Sequence, residues 1–220
     1  MIIECCISTI EGAKSAQKWN ANRVELCSDL HKDGLTPSES KIRSCTKAFK
    51  GETHVMIRPH NNGFLYNENE IKLMINQIKI AKKLNAKGVV FGALNELNKI
   101  DIEVNKLLVR QAKDLKLKCT FHRAFDYCQE PIKSLEEIIS LHFDWLLTSG
   151  QKNTAIEGVN FIKEIIKISN QRINILAGSG VNASNAKKLS EIGVNGLHFT
   201  IDKSGSVNEN KIMDIKKAIR

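Results

Sequence analysis

Lys118-Cys119-Thr120-Phe121-His122-Arg123-Ala124-Phe125-Asp126 begins as an alternating run and ends on an imidazole, a guanidinium and a carboxylate. Alternation at period two is the signature of a strand, so the charged groups fall at its C-terminal end and in the loop beyond. Read alone, the stretch also fits a strand-end ion pair between Arg123 and Asp126 beside an interior histidine. Other strands in the chain end the same way, and that repetition decides the fold.

Working outward, apolar and alternating runs predict strands at Ile2 to Cys6, Arg23 to Cys27, His54 to Arg58, Gly88 to Gly92, Asp144 to Thr148, Ile173 to Ala177 and Gly196 to Phe199. Amphipathic patterns and capping residues predict helices over 8–19, 38–48, 67–84, 103–116, 131–141, 154–169, 182–191 and 208–219. Pro59 stops the third strand, and Pro131 sits in the first turn of its helix, where a missing N–H costs nothing. Eight strands alternating with eight helices imply a parallel sheet with right-handed crossovers. At this length the sheet closes into an α/β fold, a (β/α)8 TIM barrel forming a single domain over 1–220.

Composition narrows the function. The chain is 42% hydrophobic, enough for one large core, and no apolar run is long enough for a membrane span or a signal peptide. The expectation is a cytoplasmic protein without a membrane partner. Six cysteines contain no C-x-x-C pair, which in that compartment reads as free thiols. A net charge of +9 raises nucleic acid as a partner, but the lysines are scattered over the polar faces of many helices, and no aromatic-interleaved basic patch is present. Nucleic acid is therefore not expected.

Strand alternation assigns faces. Glu4 and Cys6 share one; so do Arg23, Glu25 and Cys27; His54, Met56 and Arg58; Thr120 and His122; Leu146 and Thr148; and Gly196 and His198. The opposite faces, such as Val24 with Leu26, Val55 with Ile57 and Trp145 with Leu147, are apolar and must meet the helices. The polar faces then point into the barrel. Charges buried there must pair or bind something. One reading sets Arg58, and Arg23 with it, against the two glutamates. The other makes Glu4, Glu25, Arg58, His122, Asp126 and His198 a catalytic group at the C-terminal strand ends, where barrels of this kind place their sites. In it, His122 or His198 acts as general acid or base on a small anionic or carbonyl-bearing metabolite. Arg58 suits two-point anion binding, and Gly178-Ser179-Gly180, between strand and helix, suits close approach of backbone amides to an anion. Cys6 and Cys27 end adjacent strands on the inward face, so their sulfurs either suit one soft ion, Cu(I), or pack as small hydrophobes, as buried free thiols do; Cys5 points the other way.

These residues resemble the CutC family, named for a role in copper homeostasis. The resemblance lies in Glu4-Cys5-Cys6, Arg23-Val24-Glu25-Leu26-Cys27, Gly34-Leu35-Thr36-Pro37-Ser38, Met56-Ile57-Arg58-Pro59, Phe91-Gly92-Ala93-Leu94, Phe121 through Asp126, Leu147 through Gln151 and Ala177-Gly178-Ser179-Gly180. It implies a cytoplasmic barrel, a homo-oligomer (dimer or tetramer), with Cu(I) held by Cys6 and Cys27. The chain departs from the family pattern at His60-Asn61-Asn62-Gly63, where an arginine and an aspartate are lost, and after His198, where Phe199-Thr200 replaces a small pair and Ile201 through Val207 is a shortened segment. A lid or subunit contact built from that segment is expected to be altered.

Overall fold

A computed structural model describes residues 1–203 and 206–220. Eight parallel strands, β1 (Ile2–Ile7), β2 (Arg23–Leu26), β3 (Glu52–Met56), β4 (Gly88–Phe91), β5 (Lys118–Phe121), β6 (Trp145–Thr148), β7 (Asn174–Ala177) and β8 (Gly196–Thr200), close into a barrel in sequence order. The intervening helices are α1 (Ile10–Lys18), α2 (Glu39–Ala48), α3 (Glu68–Lys83), α4 (Ile102–Asp114), α5 (Pro131–Ser140), α6 (Val159–Ser169), α7 (Ala183–Glu191) and α8 (Asn210–Ala218). The single (β/α)8 barrel read from the sequence is the observed fold.

Helix starts follow local chemistry. Thr9 accepts from the Gly12 amide, Asp101 from Val104, and Asn67 closes a capping box with Glu70. The predicted helix 154–169 begins only at Val159, because Gly158 is pressed against the strand-six loop: a Cβ on it would meet the Ser149 carbonyl oxygen at 2.0 Å.

Registers fix what faces the axis. Glu4 lies beside Arg23 and His198, and Cys6 beside Glu25. Ile3, Cys5, Ile7, Val24, Leu26, Val55, Ile57, Val89, Phe91, Cys119 and Phe121 face the helices and form the main core. Strand six corrects the predicted phase. Thr120 pairs with Trp145 and Phe121 with Leu146, so Trp145 and Leu147 point inward and Leu146 and Thr148 outward. The cause is polar: Trp145 lies under the Arg23 guanidinium at 4.3 Å, and the Thr148 hydroxyl finds the Asp126 carboxylate outside the barrel.

After β8 come two short antiparallel strands, β9 (Asp202–Lys203) and β10 (Ser206–Val207). Ser204 and Gly205, within the shortened segment, lie outside the described residues. Asp202 ties this hairpin to the start of α1, its Oδ2 accepting from the Ser8 amide (2.6 Å) and the Thr9 hydroxyl (2.8 Å). Among the described residues no helix is long and apolar enough to cross a membrane.

Candidate functional site

A cavity of about 1520 Å³ opens at the C-terminal ends of the strands. Its walls carry Cys6, Glu25, Cys27, Arg58, His122 and His198, with Ser179 and Gly180 on one side and Asp202 on another. Parallel strands in a barrel all deliver their last residues to the same rim, which is why side chains so distant in sequence meet there.

Its floor is an ionic chain. Arg23 Nε bonds Glu4 Oε2, and Glu4 Oε1 accepts from His198 Nδ1 at 2.8 Å. His198 Nε2 lies 3.7 Å from Glu25 Oε2, and the Cys27 thiol 3.5 Å from the same oxygen. The glutamates are thus balanced by Arg23 and His198, not by Arg58, because the register sets Arg23 directly beside Glu4. Burial alone would raise the Glu4 carboxyl, yet Arg23 and then His198 hold it at about 2. Burial also opposes charge on His198, but Glu25, Cys6 and Glu4 together raise it well above its ordinary value.

The thiols share one proton network. The hydrogen bond from Cys27 lowers Cys6 to about 5 against the opposing effect of burial, with His198 assisting. Cys27 is raised well above a free thiol by that same bond and by burial. Burial pushes Glu25 up to about 8. Two cations, Arg23 and His198, therefore face Glu4 and a second negative charge shared between Cys6 and Glu25. Cys6, Glu25 and Cys27 offer ligand atoms all within 4.8 Å of one another, as do Glu4, Glu25 and His198. Cys5 sits in the helix-facing core, as its phase predicts.

Arg58 and His122 stand apart from this chain. The Arg58 Nη1 donates to the carbonyls of Lys32 (3.0 Å) and Gly34 (3.3 Å) and its guanidinium lies 5.0 Å from the Phe64 ring. Phe64 in turn packs on His122 at 5.0 Å and on Tyr127 at 5.5 Å. Phe64 carries no charge and lies in an irregular loop, so periodicity offered no signal for its place here.

Asp126 does not join the cavity wall. It is buried between Arg123 Nε (2.9 Å), the Ser149 amide and hydroxyl, the Gln151 amide and Thr148, and it fastens the loop after β5 to the loop after β6. With its oxygens so engaged, its place among the catalytic candidates is replaced by a structural one. The glycine loop is likewise partly committed. The Gly178 amide donates to Thr148, and Asn182 and Asn185 cap α7 reciprocally, using the Asn182 and Ser184 amides. Gly178 lies off the cavity and serves packing: a Cβ there would meet Leu147 Cδ1 at 2.6 Å and His198 Cδ2 at 3.2 Å. Ser179 and Gly180, both at positive φ, do face the cavity.

Fold and site define a TIM-barrel protein whose strand-end pocket combines paired thiols with carboxylates and imidazole. A model of the CutC family matches residues 1–203, and the chain belongs to that family. A CutC family protein of Pasteurella multocida is 43% identical over 201 residues, 91% of this chain and 82% of the relative. One from Bacteroides fragilis is 41% identical over 205 residues, 92% and 81% of the two chains. The crystal structure of a protein assigned to copper homeostasis as CutC, from Streptococcus agalactiae, superposes with a TM-score of 0.84 at 32% identity, covering 90% of this chain and 98% of that one. An aldolase, QR15, shares the fold alone, at 15% identity and a TM-score of 0.72.

Proposed function

We propose that this protein binds Cu(I) through Cys6 and Cys27 and serves copper homeostasis in the cytoplasm, as a homo-oligomer. The observation that carries the reading is the position of the two thiols, on adjacent parallel strands, inward, buried and within reach of a common soft ion. Thiolates favour Cu(I) among biological metals, and the donor set present fits it. Cys6 and Cys27 would hold the ion, and binding would release the proton of the Cys27 thiol to solvent through the open cavity. Titration of reduced protein with Cu(I) against a competing chelator tests the reading. Binding should weaken in Cys6→Ser and Cys27→Ser and stay unchanged in Cys5→Ser; equal binding by all three variants would reduce it to unspecific thiol chemistry.

A second reading is favoured by the cavity, which is far larger than one ion needs. In it the barrel acts on a small anionic or carbonyl-bearing metabolite, with His198, oriented by Glu4, as the proton-transferring group and Arg58 gripping the anion. A panel of small keto acids and sugar phosphates followed by NMR tests this. Turnover lost in His198→Gln supports it, and no turnover of any member counts against it.

A further inference from the structure

Arg58 is a buried cation without a counter-charge. The other arginines tied into the barrel have one: Arg23 has Glu4, Arg123 has Asp126 and Arg172 has Glu136. Among the described residues no carboxylate pairs with Arg58, although it is only 5% exposed, and its Nε has no hydrogen-bond partner. The two carbonyls on Nη1 hold the guanidinium in place without neutralising it.

His122 presents a second unused donor. Its Nδ1 accepts from the Ala124 amide at 3.3 Å, and a neutral imidazole that accepts at one nitrogen donates from the other. Its Nε2 therefore carries the proton, and Nε2 too is buried with no partner. Burial and then Arg58 lower His122 to about 3, so it stays neutral and donates. A buried donor left unmade is costly, and here two border one cavity and one phenyl ring, Phe64. Glu4 is held by Arg23 and His198, Glu25 faces His198 and Cys27, and neither pairs with Arg58, so the counter-charge it lacks is one that a ligand would bring.

We propose that Arg58 and His122 form a two-donor subsite for one oxygen anion of an organic ligand, a carboxylate or phosphate group, with Phe64 as the apolar surface beside it. This rests on the second reading above and names the part of the ligand that the barrel grips. His122 then positions the ligand and moves no proton, which leaves acid or base work to His198. The shared chemistry is a charge-assisted hydrogen bond to a delocalised oxyanion.

The test uses the reduced full chain titrated with inorganic phosphate and, separately, with acetate, each against chloride at equal ionic strength. Calorimetry and the side-chain ¹⁵N resonances of His122 are the readouts. One of the two anions should bind saturably in the millimolar range and shift the His122 Nε2 signal, and which one does so names the ligand group. Affinity should fall about tenfold or more in Arg58→Gln and in His122→Asn, each having lost a charge-assisted or oriented donor. Asn at 122 keeps an acceptor for the Ala124 amide while removing Nε2, so this variant is expected to fold; Arg58→Lys serves where Arg58→Gln does not. Binding that survives His122→Asn but not Arg58→Gln overturns the donor pair and leaves the anionic-metabolite reading standing. Saturable binding of neither anion overturns both.

Discussion

His198 Nδ1 donates to Glu4 Oε1 at 2.8 Å across the seam where β8 meets β1 and the barrel closes. The same carboxylate holds Arg23 with its other oxygen, so one buried anion serves two cations. Glu4→Gln should therefore lower stability by roughly 3–5 kcal/mol, the cost of leaving buried charge without its partner. Adding Arg23→Met should recover part of that loss, because an apolar side chain leaves no orphaned charge against Trp145. Urea unfolding of both variants measures this. A loss below about 1 kcal/mol for Glu4→Gln would mean that water screens the cluster.

Thiol reactivity should be uneven. Cys6 faces the cavity with its thiol lowered to about 5, whereas burial raises Cys119 to about 12 and pushes Cys5, among the helices, far above a free thiol. The thiolate is the nucleophile, so iodoacetamide at mildly acidic pH should modify Cys6 first, as read by mass spectrometry of the digested chain. Cys27→Ala removes the donor that stabilises the Cys6 thiolate and should slow the reaction. Modification of Cys5 ahead of Cys6 would contradict the strand phase.

How much of this was legible in the sequence varied with the local signal. The barrel was, because its strands and helices repeat with clear periods. The inward set Glu4, Glu25, Cys6, Cys27 and His198 was too, since each lies in a strand where polar and apolar residues alternate. Strand six was not: Trp145-Leu146-Leu147 is apolar throughout, and its phase depends on Arg23 inside and Asp126 outside, two contacts from distant parts of the chain. For the same reason the choice between Arg23 and Arg58 as partner of the glutamates was invisible. Both arginines share the inward face, and only the register of β1 against β2 separates them.

Asp126 illustrates how a charged strand-end residue can be structural. Its oxygens accept from two amides and three side chains spread over the loops after β5 and β6. Asp126→Asn turns one acceptor into a donor facing donors, and should cost about 1–3 kcal/mol. Cu(I) affinity should be unchanged, since neither Cys6 nor Cys27 touches this network. Chelator competition and urea unfolding on the same preparation check both statements, and a variant of full stability with weakened copper binding would return Asp126 to the functional site.

The neutral state of His122 has a consequence for acid stability. Its folded value is lowered from 6.5 to about 3 by burial and Arg58. A base with a depressed folded value takes up protons only in the unfolded chain within that window. Its share of stability is therefore complete above about pH 6.5 and is lost as pH falls toward about 3, amounting to roughly 3 kcal/mol between about pH 7 and pH 4. Glu25 runs the other way: burial raises it from 4.5 to about 8, so its share is complete below about pH 4.5 and is lost as pH rises through 8. The wild-type profile mixes the two, and the difference between wild type and His122→Asn isolates the imidazole. Urea unfolding across that range should show the wild type losing more stability than the variant as the solution is acidified. A difference that stays constant with pH would mean that His122 titrates as an ordinary histidine, and with it would go the fixed Nε2 donor.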